Sequence, residues 1–186
     1  GERGKFFTFE GGDGAGKSTC VRRLVEDLRS QGFDVVVTRE PGGTPLAETV
    51  RGMLLRGDAS RFGAEQEVAY FSVARADHVE NVIRPAIEAG RIVISDRFFD
   101  STRAYQGGHV DARLLDEMER IAVGPFRPHA TFIFDIDPVI GIGRVSRRSG
   151  DAPDAFEGRH LDAHVERRVR YLDIAAREPG RCRVVD

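Results

Sequence analysis

The chain has 186 residues, 40% hydrophobic and 31% charged, with a formal net charge of −2 at pH 7. That length buries a sizeable core without metals or disulfides, and the composition excludes intrinsic disorder. The charge balance gives no global basic excess to draw nucleic acid, and no apolar run approaches the roughly 20 residues needed to span a bilayer.

Residues 6–10 are aromatic and β-branched and read as a strand. Glycines follow, and residues 17–31 carry Val21, Leu24, Val25 and Leu28 at helical spacing, with Gly32 placed to end that helix. Residues 35–38 read as a buried strand, residues 39–43 as a tight Arg-Glu-Pro-Gly-Gly loop, and residues 46–55 as a helix. A longer helix is expected from about Ala64 toward Pro85, with Val68, Phe71, Arg75 and Val79 near one face. Residues 92–95 read as a third strand, closed by Asp96-Arg97.

Leu114, Leu115, Met118, Ile121 and Ala122 mark the next helix, and residues 131–135 a strand. Pro138 opens another helix at a favoured early position. The polar, Gly/Pro-bearing residues 149–158 read as a mobile loop. Leu161, Val165, Val169 and Leu172 stripe a last helix, and residues 183–185 form a short strand. There is no internal repeat or interdomain linker, so residues 1–186 are expected to be one domain. Cys20 and Cys182 have neither disulfide-framework nor zinc-site spacing, and residues 1–9 show no signal-peptide core. A cytoplasmic protein in a reducing compartment is expected, touching neither membrane nor nucleic acid.

Alternating strands and helices with nearly continuous apolar strands predict an α/β fold. It should have three α/β/α layers and a parallel central sheet of about five strands. Ligands of such sheets sit at the carboxyl ends of the strands. The glycine loop after the first strand, Arg39 after the second and Asp96-Arg97 after the third fall on that edge.

Gly11-Gly12-Asp13-Gly14-Ala15-Gly16-Lys17-Ser18 satisfies the phosphate-binding pattern G-x-x-x-x-G-K-[ST], after a strand and opening a helix as the mechanism requires. Glycines let successive backbone N–H groups turn inward around a phosphate, and the helix N-terminus adds partial positive charge there. Thr19 continues the cradle, Lys17 is placed for the β/γ oxygens, and Ser18 for Mg²⁺. The chain's 28 basic residues are 26 arginines with only two lysines, Lys5 and Lys17, so the location of Lys17 carries information. The chain is expected to bind a nucleoside triphosphate.

GTPases need a base-reading N-K-x-D, which is missing, and motor ATPases need more chain. A small-molecule kinase needs a second anion site opposite the loop, and Arg39, Arg75 and Arg97 all fall on segments bordering the same edge. With so many arginines, any single one also reads as a solvated surface residue. Arg97 directly follows a buried strand and Arg39 sits in a Pro-Gly-Gly turn, which weakens that reading for both. Phe71 fits plain core packing as well as a ligand-facing role.

Residues 9–18 together with Thr38-Arg-Glu-Pro-Gly-Gly43, Asp96-Arg-Phe-Phe-Asp-Ser101 and Ala104-Tyr-Gln-Gly107 resemble the bacterial thymidylate kinases, nucleoside monophosphate kinases of the P-loop type, over essentially the whole chain. The resemblance implies Mg·ATP + dTMP → ADP + dTDP, a step toward dTTP. It implies that Arg39 and Arg97 hold the 5′-phosphate of dTMP, that Phe71 stacks on thymine, and that Arg75 bonds a thymine carbonyl. Ser101, Thr102, Tyr105 and Gln106 would line the base and sugar. Asp13 would lie near the sugar 3′-hydroxyl and the transferring phosphate, and Asp96 would help position Mg²⁺. A homodimer is implied as well. Rival readings are a kinase of the same fold acting on another nucleotide or nucleoside, and a nucleotide-binding switch without phosphoryl transfer.

The family's lid corresponds to residues of about 144–158. Some members carry a catalytic arginine in the P-loop where this chain has Gly14, so Arg144, Arg147 and Arg148 are the candidates for that charge. The usual D-R-F-E of the lid reads Asp154-Ala-Phe-Glu157 here, so a second arginine is missing unless Arg159 substitutes. Family members continue through an adenine-contacting loop and a final helix. This sequence ends at Asp186, so that helix is expected to be missing from the chain.

Overall fold

Alternation along β1 (Lys5–Gly11) divides the molecule into its layers. Phe7 and Phe9 face one side, where they join Val21, Val25, Val35, Ile94 and Phe134. Phe6 faces the other, with Val68, Val79, Ile83, Val93, Phe98 and Phe99. The computed structural model describes residues 1–12, 14–55, 62–149 and 156–186.

After β1 come α1 (Lys17–Ser30), β2 (Val35–Arg39), α2 (Pro45–Leu55) and α3 (Ala64–His78). A π-helical turn (Val79–Ile83) leads into α4 (Arg84–Glu88), then β3 (Ile92–Asp96), α5 (Phe99–Gln106) and α6 (Ala112–Ala122). β4 (Ala130–Phe134), α7 (Pro138–Ser149), α8 (Phe156–Arg177) and β5 (Cys182–Val185) complete the described elements. The five strands form one parallel sheet, as the sequence predicts, in the order β2-β3-β1-β4-β5. Asp96 is in register with both Arg39 and Phe9, which brings the ends of three strands level. No helix among the described residues is long and apolar enough to cross a membrane.

The structure departs from the sequence reading in three places. The helix expected to run toward Pro85 widens into the π turn just before it. Proline has no N–H and its ring excludes the carbonyl four residues back, so the ladder must open. Residues 99–106 form a helix that local pattern does not announce. Helix α7 runs through Ser149 and α8 already begins at Phe156, so the expected 149–158 loop is helical at both ends. Residues 150–155 lie outside the described residues.

Candidate active site

The turn from β1 into α1 uses left-handed backbone at Gly14 and Gly16, both with φ 81°, which glycine adopts without steric penalty. A Cβ on Gly14 would lie 2.7 Å from the Gly141 carbonyl oxygen, so the loop is pressed against α7. The same closeness lets Arg144 Nη1 donate to the Gly14 carbonyl at 2.9 Å. Gly12, Gly14, Ala15, Gly16, Lys17, Ser18 and Thr19 line a cavity of about 620 Å³ together with Asp96, Arg97 and Val145. Gly11 does not line it; its carbonyl accepts from Arg97 Nη2 at 3.1 Å. Lys17 is buried, and its Nζ lies 2.6 Å from Asp96 Oδ1. Burial, and then the Arg97 guanidinium, pull the Lys17 ammonium below its ordinary value, with Asp96 opposing.

A second cavity, of about 450 Å³, opens on the other side of Asp96 and Arg97. Arg39, Phe71, Arg75, Arg97, Ser101, Thr102, Tyr105 and Gln106 all line it. Those eight residues come from β2, α3, the end of β3 and α5, so tertiary folding gathers the whole expected acceptor set. Phe71 belongs to both readings offered for it, since it also packs against Ala47, Val50, Leu54 and Ala74.

Arg97 is the positive-φ non-glycine residue among those described, at φ 69°. Such a conformation costs about 1–3 kcal/mol and persists only where the surroundings enforce it. Its N–H donates to Phe9 O at 2.9 Å and its carbonyl accepts from Ser95 Oγ at 2.7 Å. The guanidinium reaches Ser101 Oγ and Tyr171 OH, each at 3.2 Å, and lies over the Tyr105 ring. Arg167 lies over the same ring at 4.6 Å.

Beneath this arginine sits Glu10, fully buried, a residue to which the sequence reading gave no role. Its Oε1 accepts the Phe98 N–H at 2.6 Å, and its Oε2 accepts Ser101 Oγ at 2.5 Å and Tyr171 OH at 2.9 Å. A carboxylate thus caps the start of α5 and satisfies the Phe98 N–H, one of the backbone donors that a helix start leaves orphaned. Burial, and then Asp100, push the Glu10 carboxyl above its ordinary range. Burial, with Glu10 next, pushes the Tyr171 hydroxyl well up. The available signal was an acidic residue on the strand alternation that also carries Phe6 and Thr8.

Arg39 and Arg75 differ in how they are held. Arg39 is exposed, and its Nη2 lies 3.2 Å from Glu48 Oε2. Glu48 is held below the usual carboxylate range by the Gly43 N–H and then by Arg39. Arg75 is buried, with Nε on Glu40 Oε1 at 2.6 Å and Nη2 on Thr102 Oγ1 at 3.1 Å and Phe98 O at 3.4 Å.

A P-loop cavity that shares Asp96 and Arg97 with an arginine-lined second cavity is the layout of a phosphoryl-transfer site with donor and acceptor ends. The family model described as Thymidylate kinase matches residues 9–186. The chain belongs to the thymidylate kinase family.

Two relatives named thymidylate kinase, from Bradyrhizobium sp. strains ORS 278 and BTAi1 / ATCC BAA-1182, are 48% and 47% identical; each match covers 99% of this chain and 83% of that protein. A crystal structure of thymidylate kinase from Ehrlichia chaffeensis matches with a TM-score of 0.79 at 34% identity, covering 98% of this chain and 90% of that one.

For a thymidylate kinase fold, the described residues leave part of the expected site untouched. Asp13 lies outside them, as does the side chain of Arg148. Arg147 is exposed and lines neither cavity, whereas Arg144 is bonded to the P-loop. For Mg²⁺, the Ser18 hydroxyl and the Asp96 carboxylate line the same cavity. Two oxygen donors beside a phosphate site suit this ion, which keeps several waters and takes few protein ligands. Among the described residues no group of three or more His, Cys, Asp or Glu forms a protein-only cage.

Proposed function

We propose that this chain transfers the γ-phosphoryl group of ATP to dTMP, giving ADP and dTDP for dTTP synthesis. The observation that carries the reading is the pair of cavities joined at Asp96 and Arg97, one framed by the P-loop and the other by the acceptor arginines. In this reading residues 12–19 cradle the triphosphate and Lys17 neutralises its β/γ oxygens, while Gly11 serves the site through its bond to Arg97. Arg39 and Arg97 hold the dTMP phosphate, Phe71 stacks on thymine, and Arg75 donates to a thymine carbonyl. Ser101, Thr102, Tyr105 and Gln106 enclose the nucleoside, and Asp13 approaches its 3′-hydroxyl. Mg²⁺, held through Ser18 and Asp96, supplies charge neutralisation at the bridging phosphates when bound.

The acceptor is a phosphate oxygen whose second pKa is about 6, so it is largely dianionic at neutral pH and requires no general base. Its oxygen forms the new bond to the γ-phosphorus as the bond to the β-phosphate oxygen breaks and ADP leaves. Two mutually repelling anions must meet, so the protein's work is positioning and charge neutralisation. Residues of about 144–158 act as a lid that excludes water. Among Arg144, Arg147 and Arg148, we assign the arginine on the transferring phosphoryl to Arg144, since it already touches the P-loop.

The enzyme is read as a cytoplasmic homodimer. Two cysteines without a disulfide suit a reducing compartment. Leu46 on α2, Val73 on α3 and Ile121 on α6 leave apolar surface exposed on three adjacent helices, which supports self-association through that side.

The test is coupled ADP release with Mg·ATP and, separately, dTMP, dUMP, dCMP, dGMP, AMP and thymidine. Fast turnover with dTMP, slower with dUMP and none with thymidine is expected. ATP binding without release for any acceptor would replace the kinase reading by a nucleotide-binding switch.

A further inference from the structure

Arg75 is held by a buried chain of side chains that the transfer mechanism leaves unused. Glu40 Oε1 takes Arg75 Nε at 2.6 Å, Glu40 Oε2 takes His78 Nδ1 at 2.7 Å, and His78 Nε2 meets Thr38 Oγ1 at 2.6 Å. Glu40 is 5% exposed, Arg75 2% and His78 0%. The chain joins the end of β2, the turn after it and α3, all bordering the cavity that Arg75 lines.

The polarity of the chain is fixed by its members. A carboxylate only accepts, so His78 Nδ1 must carry a proton. In the neutral imidazole, Nε2 is then the acceptor and the Thr38 hydroxyl donates to it. The His78 ring is fully buried and lies close against Gly43, where an added Cβ would stand 2.6 Å from its Cδ2 and Nε2, so packing and its two hydrogen bonds hold the ring in place. With His78 fixed, Oε2 is fixed, and the carboxylate presents Oε1 to Arg75 in one orientation.

Arg75 is thereby saturated on its protein side. Nε goes to Glu40, Nη2 goes to Phe98 O and Thr102 Oγ1, and the guanidinium lies over the rings of Phe98 and Phe99 at 5.6 and 5.2 Å. Nη1 is the nitrogen left: buried, without a protein partner, on a residue that lines the cavity. A buried donor left unpaired is costly, so this atom is built for an acceptor that arrives with a ligand.

We propose that Glu40 and His78 are positioning residues that aim Arg75 Nη1 at the acceptor base, making the site selective for a pyrimidine with a carbonyl at C4 over one with an amino group there. This rests on the reading of the second cavity as the dTMP site. A carbonyl accepts from Nη1, whereas an amino group would set donor against donor. Discrimination of that kind is large only if the arginine cannot rotate away, and the Thr38–His78–Glu40 chain prevents the rotation.

The experiment is steady-state ADP release with dTMP and dCMP for Glu40→Ala, His78→Leu and Arg75→Ala, alone and in the combination Glu40→Ala/Arg75→Ala. Glu40→Ala should raise the KM for dTMP by about 10-fold or more, and shift kcat/KM from dTMP toward dCMP by a similar factor. The KM for ATP should stay unchanged and kcat nearly so. Glu40→Gln, which keeps an acceptor for Nε, should restore most of the loss. In the Arg75→Ala background the Glu40 substitution should add nothing further. Should Glu40→Ala fail to fold, His78→Leu, which should raise the KM for dTMP in the same direction, carries the comparison, with Glu40→Gln as its conservative control. An unchanged KM for dTMP, an increase equally large without Arg75, or a parallel fall in kcat for both acceptors overturns the proposal. No dTMP-dependent turnover by the unsubstituted enzyme overturns the function, and this proposal with it.

Discussion

The Glu10 carboxylate accepts the backbone N–H of Phe98 at 2.6 Å, across 88 positions of sequence. Through that bond the central strand caps the helix that carries Ser101, Thr102, Tyr105 and Gln106. Replacement by alanine orphans the Phe98 N–H and costs about 1–3 kcal/mol for each unsatisfied buried group. A pH dependence follows too. The Glu10 carboxyl sits above its ordinary 4.5 in the folded protein, so its contribution to stability is complete below pH 4.5 and is lost as pH rises through the raised value. In thermal melts across this window, the stability of the native protein relative to Glu10→Gln should fall as pH increases. A difference independent of pH would contradict the assignment.

The backbone of Arg97 is left-handed, at φ 69°. Glycine tolerates that region and alanine does not, by about 1–2 kcal/mol. Arg97→Gly should therefore melt above Arg97→Ala, while both lose dTMP-dependent ADP release. Equal melting temperatures would mean that the strain is not present in solution.

Lys17 sits at the P-loop within 2.6 Å of Asp96. Lys17→Ala should lower kcat by on the order of 10²–10³, the usual effect of deleting one preorganised donor. Single-turnover transfer with saturating ATP and dTMP measures it without interference from product release.

The bond from Arg144 to Gly14 O holds this arginine of α7 against the P-loop. Arg144→Ala should cost on the order of 10³ or more in kcat, in the range of a catalytic arginine, with the KM for dTMP little altered. Arg147→Ala should cost less. The reverse ranking in steady-state assays would move the role to Arg147.

Gly14 combines φ 81° with a carbonyl 2.7 Å from where a Cβ would stand. Gly14→Ala pays the left-handed penalty of about 1–2 kcal/mol and must also displace α7 at Gly141. A lower melting temperature and weaker stabilisation by added ATP are expected, both readable by scanning fluorimetry. Any larger side chain at residue 14, an arginine included, would meet the same obstacle.

Much of this was legible in sequence because it is local or periodic. The P-loop spacing, the alternation of β1 and the order of strands and helices each follow from pattern within a few residues, and the sheet and its active edge follow from them. The set Arg39, Phe71, Arg75, Arg97, Ser101, Thr102, Tyr105 and Gln106 follows from the resemblance to the family, and Phe71 and Arg75 lie outside its motifs. That these residues share one cavity depends on four elements packing together, which no local pattern records. Helix α5 went unannounced because its start is capped by Glu10 from another strand, and the π turn because propensity does not specify how a helix yields to proline. The deepest layer was the least visible. Glu10, Glu40, His78 and Tyr171 read as ordinary polar residues until burial removes their water and leaves them one another and the few donors and acceptors packed beside them. At that point the low-dielectric interior, and not the residue type, decides that Glu10 holds α5 and that Glu40 fixes Arg75.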